Sequence, residues 1–281
     1  MMTAAAAENP ARPVGLARPK LAVDTVLFAL ESGRLKSYLV QLKLGPVAGK
    51  WAFPGGLVRR GELLDDAARR ELESATGLRD KWDQKSLTIA ASESLGSRFA
   101  DSESQAGCSQ PRTGTASQAR PMRLHDLTGS AYLEQLFTFG DPSRDPFAHV
   151  VSVAYMALTD DPSRVSACST KYANGQWYEV TALPPLAYDH ALVADYALNR
   201  LRAKLTYTNI AAHLLPPSFT FAELEELYAS ILERPLDRRN FRRRIMASGL
   251  LHPLGKMRRG AHRPASLYSF VQRSLQMIEM L

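Results

Sequence analysis

Cysteine is nearly missing from this chain: Cys108 and Cys168 are the only two in 281 residues, and nothing in the sequence pairs them. So few cysteines suit a reducing cytosol rather than a disulfide framework. Long apolar runs are missing as well. No stretch approaches 18 consecutive apolar residues, and the opening MMTAAAAENPARPVGLARPK has no apolar h-region. Neither an export signal nor a membrane span is expected, and the reading is cytoplasmic with no membrane partner. Residues 92–130 have almost no aliphatic content and are dominated by Ser, Gln, Gly, Thr and Ala. A packed core cannot be built from such a composition, so this segment reads as a largely disordered insertion. Acidic residues are scarce in one place. Residues 234–263 hold ten basic residues against Asp237 alone. Their surplus of nine exceeds the net +7 of the whole chain, so the rest sums to −2. One C-terminal segment therefore carries all the excess positive charge, the electrostatic footprint of a polyanion binder.

What is present organises itself around Gly56–Leu78, read as GLVRRGELLDDAARRELESATGL. Pro54-Gly55-Gly56 is a turn where backbone can approach a ligand closely. A helix is expected over Leu64–Thr76. Asp65 and Asp66 suit its positive N-terminal end, and Gly77 suits a left-handed stop. On that helix positions 71, 74 and 75 share one face. Three carboxylates there would suit Mg²⁺, which takes hard oxygen ligands alongside substrate phosphates. Only Glu71 is acidic; the other two positions are Ser74 and Ala75. Glu73 points roughly 200° around the helix from Glu71 and cannot stand in.

The spacing of Gly56, Glu62, Arg70-Glu71-Leu72 and Gly77-Leu78 resembles the Nudix box, which clamps a metal-bound diphosphate in a family of hydrolases. That resemblance implies a mixed sheet between helices. It also implies that Gly55, Gly56, Glu62, Arg70 and Glu71 line the diphosphate end of a pocket. With two metal carboxylates replaced, no catalytic residue, no metal and no resident cofactor are expected, Mg²⁺ included.

The rest of the chain is consistent with that plan. Leu21–Leu30 and Leu35–Leu42 read as strands joined at Ser32-Gly33. Two more are expected near Leu133–Phe139 and Val150–Leu158, and a short last one at Gln176–Tyr178. Asp189 is a candidate N-cap for a connecting helix to Leu205. Thr220 is the expected N-cap of a helix over Phe221–Leu232. After the break at Glu233-Arg234-Pro235, Asp237 caps a second, strongly basic helix that Gly249 ends. Phe241 and Ile245 face inward there, whereas Arg239, Arg242, Arg243 and Met246 share an outward face. Leu250–Leu254 and Ser266–Phe270 form a hairpin with a basic tip, as a phosphate-contacting wing would have. No aromatic stacking platform of the kind single-stranded RNA modules use is visible.

The resulting division is an arm (1–19), a Nudix-like domain (20–187, with the 92–130 insertion), a connecting helix (188–205) and a winged helix-turn-helix domain (206–281). The fold class expected is α+β, a Nudix α/β/α sandwich followed by that second domain. The phrase YLEQLFTFGDPSRDP and the segment PLDRRNFRRRIMASGLL…RRGAHRPASLYSF extend the resemblance to the Nudix-related transcriptional regulators of NAD metabolism. It implies a homodimeric repressor of NAD synthesis or salvage genes, bound to double-stranded operator DNA and released by ADP-ribose or a related metabolite. The DNA face would be Arg238, Arg239, Asn240, Arg242 and Arg243, with Lys256, Arg258, Arg259 and Arg263 on the wing. The alternative is an active ADP-ribose pyrophosphatase with a nucleic-acid-binding tail; an inert interaction module is a third.

Overall fold

The computed structural model describes residues 18–79, 132–166, 169–259 and 264–278. The expected arm up to residue 17, the 92–130 insertion, both cysteines and Arg263 lie outside the described residues. The β-branched and apolar run at the start forms β1 (Lys20–Glu31), which turns at Ser32 (φ 52°) and Gly33 (φ 74°) into β2 (Arg34–Leu42). Two consecutive left-handed residues match the twist of a tight hairpin. Short β3 (Trp51–Ala52) and β4 (Gly55–Leu57) lead into α1 (Leu64–Thr76). Strands β5 (Tyr132–Phe139), β6 (Val150–Thr159) and β7 (Tyr172–Glu179) complete a seven-stranded mixed sheet. Its spine runs β3-β2-β1-β6-β5, with β4 on β1 and β7 on β2. β1 and β6 are parallel, and every other pairing is antiparallel.

The last strand is longer than its sequence suggests. Asn174-Gly175 looks like a turn, yet β7 runs through it along β2 from Leu42 to Lys36. A Cβ at Gly175 would strike the Tyr38 hydroxyl, so the glycine serves packing rather than turning.

Alternation along β1 divides the core. Val23 and Leu27 point to one face, where Ala67, Ala68, Leu72 and Ala75 of α1 cover them. Val26 and Phe28 point to the other, where the covering helix is α2 (His190–Tyr207). Its Val193, Ala197, Leu201 and Leu205 recur every four residues and are fully buried. The segment expected to connect two domains is thus the second helical wall of the sandwich. Asp189 does precede α2, but its side chain makes no cap bond. Its carboxylate instead accepts two hydrogen bonds from Arg144, at 2.9 and 2.6 Å. A buried guanidinium is the stronger claimant on a carboxylate.

Beyond α2, β8 (Phe219–Thr220) leads to α3 (Phe221–Leu232), which opens on a complete capping box between Thr220 and Glu223. Glu233 turns left-handed (φ 49°), and Asp237 caps α4 (Arg238–Ala247) by accepting from the Asn240 backbone. β9 (Leu251–Arg258) and β10 (Ala265–Phe270) form the hairpin, and β8 adds a third strand to it. Phe241 and Ile245 bury the inner face of α4, with the Phe241 ring 4.8 Å from that of Tyr228. This unit does not hang on a linker. Leu224, Leu227 and Ile231 of α3 share one core with Phe28, Leu35 and Leu39 of the large sheet. The Leu35 N–H also donates to Ser230 Oγ at 3.2 Å.

Candidate functional site

The five residues assigned to the diphosphate end come together beside the start of α1. Glu62, in the loop before the helix, takes both arms of Arg70. Nε donates to Oε1 at 2.6 Å and Nη2 to Oε2 at 2.8 Å. The Arg59 N–H adds a third bond at 2.8 Å. The Arg70 fork, with this backbone bond, draws the Glu62 carboxyl down from 4.5 to about 2. The remaining arm of Arg70 reaches Glu71. Gly55 and Gly56 are held by close approach. A Cβ on Gly55 would strike Asp24 and the Val23 carbonyl, and one on Gly56 would land on the Glu71 carboxylate and the Lys171 ammonium. Glycine is the residue that tolerates such contact.

Lys171 is the member that sequence reasoning missed. Its Nζ sits 2.6 Å from Glu71 Oε2 and donates to the Gly55 carbonyl, while its ammonium lies 5.3 Å from the centre of the Tyr172 ring. The Tyr172 hydroxyl donates to the same Gly55 carbonyl at 3.1 Å. Burial works against the Lys171 charge, but Tyr172 and Glu71 outweigh it and raise its pKa above the ordinary lysine value. The residue is one hundred positions from Glu71 and lies just before β7, so no local motif announces it.

A Nudix box implies a divalent cation, and the donor set here does not fit one. Glu71 is the single acidic residue on the metal face of α1, and it already binds two cations, Arg70 and Lys171. Ser74 shares a hydrogen bond with Ser169 at 3.2 Å. Ala75, 2% exposed, belongs to the core beneath the helix. Glu62 is saturated by Arg70 and Arg59. Among the described residues no group of three His, Cys, Asp or Glu side chains converges as metal ligands would.

A second polar cluster lies across the sheet. Asp24 sits opposite Gly55 in the β1–β4 register and accepts from Ser152 Oγ at 2.5 Å. Arg144 and His190 each approach it at 3.5 Å. The Phe53 N–H donates to His190 Nδ1 at 3.0 Å. Burial pushes the Asp24 carboxyl up, but His190, Ser152 and Arg144 prevail and hold it at about 2. This cluster joins the strand bearing the box glycines to the first turn of α2. Arg144 lies in the phrase YLEQLFTFGDPSRDP, the one hint of it that the sequence offers.

On the far unit, Arg238, Arg239, Asn240, Arg242, Arg243, Arg244 and Met246 are all exposed on α4. They are not equivalent. Arg242 leans back, donating to the Tyr268 hydroxyl at 3.2 Å with its guanidinium 4.5 Å from the Phe221 ring centre. Asn240 bonds Asp237, and Arg238 faces Glu225 at 3.9 Å. Arg258 on the wing is paired with Glu223 at 2.6 Å. Among the described bases of α4 and the wing, Arg239, Arg243, Arg244, Lys256 and Arg259 have neither an ion-pair nor a cation–π partner and can meet an external polyanion.

The NUDIX domain model matches residues 19–102, and the model of the NrtR DNA-binding winged helix domain matches residues 211–270. The chain is 27% identical over 255 residues to the "ADPR responsive transcriptional repressor NtrR" of Acinetobacter baylyi, covering 90% of this chain and 82% of that one. It is 25% identical over 179 residues to an ADP-ribose pyrophosphatase of Methanocaldococcus jannaschii, covering 63% of this chain and 73% of the other. Among solved structures, Shewanella oneidensis NrtR complexed with a 27mer DNA superposes with a TM-score of 0.64 at 26% identity, covering 89% of this chain and 93% of that one. The chain thus joins a NUDIX domain to an NrtR DNA-binding winged helix domain, and over most of its length it is similar to NrtR.

Proposed function

We propose that this protein is a ligand-controlled repressor that binds operator DNA through α4 and the wing and is released by ADP-ribose or a closely related nucleotide. The observation that carries the reading is one chain holding both a Nudix box with Ser74 and Ala75 at its metal positions and a basic winged helix. The similarity to an ADP-ribose-responsive repressor along 90% of the chain supports it. Gly55, Gly56, Glu62, Arg70 and Glu71 receive the diphosphate end, and no divalent cofactor is required. Arg239, Arg243, Lys256 and Arg259 supply the charge for duplex DNA, and two copies of the chain engage paired half-sites. The regulated genes are those of NAD synthesis or salvage.

The test is a gel shift on the promoters of such genes with ADP-ribose titrated in. Shifted DNA that ADP-ribose releases supports the proposal. No affinity for any of these promoters refutes it. Sedimentation of the complex reads the stoichiometry.

A second reading, an active pyrophosphatase, is favoured by the similarity to the archaeal ADP-ribose pyrophosphatase. Loss of a divalent ion removes both the Lewis acid and the water activation that such hydrolysis relies on. Robust cleavage of ADP-ribose with Mg²⁺ or Mn²⁺ would favour this reading over the first.

A further inference from the structure

We propose that the Lys171 ammonium occupies the place of the divalent cation on the Nudix helix, and that it contacts the ligand's diphosphate directly. The inference rests on the reading of this pocket as a diphosphate-nucleotide site. It goes further in naming the cation that replaces the metal.

A hard cation in an oxygen site takes carboxylates and backbone carbonyls as ligands. Here Lys171 Nζ takes one of each, the Glu71 carboxylate at 2.6 Å and the Gly55 carbonyl. An ammonium has three donors. Glu71 and Gly55 take two, and Tyr172 is a further side-chain partner, but the side chain remains 43% exposed, so a phosphate oxygen can reach the ammonium from solvent. Glycine at position 56 leaves room for the nitrogen; any side chain there would displace it. Charge points the same way. Glu62 and Glu71 carry two negative charges, and Arg70 and Lys171 two positive ones. The cluster is neutral with no metal, and a divalent ion added beside Lys171 would meet repulsion instead of a vacant carboxylate.

The same substitution accounts for Ser74 and Ala75. With a tethered monovalent cation in place, further carboxylates on this face would have nothing to coordinate. Ala75 packs into the core and Ser74 bonds to Ser169, two residues before Lys171.

Two titrations on the full chain decide the matter. In the first, Mn²⁺ alone is added and free ion is followed by electron paramagnetic resonance, for the parent and for Glu71→Gln. Indistinguishable curves are expected. A Mn²⁺ site present in the parent and lost in Glu71→Gln overturns the proposal. In the second, ADP-ribose is titrated calorimetrically with EDTA or with Mg²⁺. The parent is expected to bind equally in both. Lys171→Met should bind roughly tenfold or more weakly, since a hydrogen bond to a charged group is lost, and Lys171→Arg should keep most of the affinity. A parent that needs Mg²⁺, or a Lys171→Met variant that binds as the parent does, overturns the proposal. Should Lys171→Met not fold, the two parent titrations still decide. A parent that binds no ADP-ribose in either buffer defeats the choice of ligand, and the Mn²⁺ curves still judge whether Lys171 holds the cation's place.

Discussion

Arg273 and Asp160 meet at 2.6 Å in a half-buried contact that ties the end of the winged helix unit to the end of β6. The same guanidinium donates to the Leu215 carbonyl at 3.2 Å. Burial raises the Asp160 carboxyl and outweighs the pull of Arg273. The pair therefore fixes geometry more than it adds stability, as desolvated ion pairs commonly do. Removing one partner strands the other charge. Asp160→Asn is expected to cost about 3 kcal/mol, read from urea unfolding. The double replacement Asp160→Leu/Arg273→Met should recover most of that loss. A loss in the double variant as large as the sum of the losses in Asp160→Asn and Arg273→Met would show that the contact is not a coupled pair.

On α4, neighbouring arginines should behave differently. Arg243 has no ion-pair partner among the described residues, so Arg243→Ala should weaken DNA binding and lower the salt slope of log K by about one. Its melting temperature should match the parent's. Arg242 braces the wing through Tyr268 and Phe221. Arg242→Ala should cost about 1 kcal/mol of stability in addition to DNA affinity. Melting curves beside fluorescence-anisotropy titrations separate the two; an unaltered melting point in Arg242→Ala would mean that the brace carries no weight.

The contrast shows what can be read from a sequence. Bounds set by neighbours along the chain are legible: Leu64–Thr76 is a helix because Asp65 and Asp66 open it and Gly77 closes it. The Thr220–Glu223 capping box is legible for the same reason. What depends on a distant partner is not. Asp189 is a plausible cap until Arg144 claims it from 45 positions away. Arg242 shares a helix face with Arg243, and only folding brings Tyr268 beneath it. Lys171 looks like one exposed lysine among many until β7 sets it over Glu71. The apolar spacing of α2 was visible, but the face of the sheet it covers was not.

Gly56 offers a test of how tightly the box is built. A single methyl at this position would overlap the Glu71 carboxylate and the Lys171 ammonium together. Gly56→Ala is expected to lose ADP-ribose affinity as Lys171 is displaced, with a smaller loss of stability, because the atoms the methyl would meet are the ends of two flexible side chains. Calorimetry and thermal melting on the same sample measure both. A fully stable variant with parental affinity would mean that the cluster yields easily.

The Glu62–Arg70 clasp should show itself in the dependence of stability on pH. Its carboxyl titrates at about 2 in the fold against an ordinary 4.5, first because of the Arg70 side-chain bonds and then the Arg59 backbone bond. A carboxyl with a depressed folded pKa contributes stability above its unfolded value and loses that contribution as pH falls toward the folded value. The contribution is therefore whole above about pH 4.5 and shrinks between there and about pH 2. Glu62→Gln cannot ionise, so it should unfold at lower urea than the parent at neutral pH. The gap between the two midpoints should stay constant down to about pH 5 and then narrow toward pH 3. A gap that is already absent at neutral pH, or one that is unchanged at pH 3, would show that the Arg70 fork does not hold Glu62 ionised.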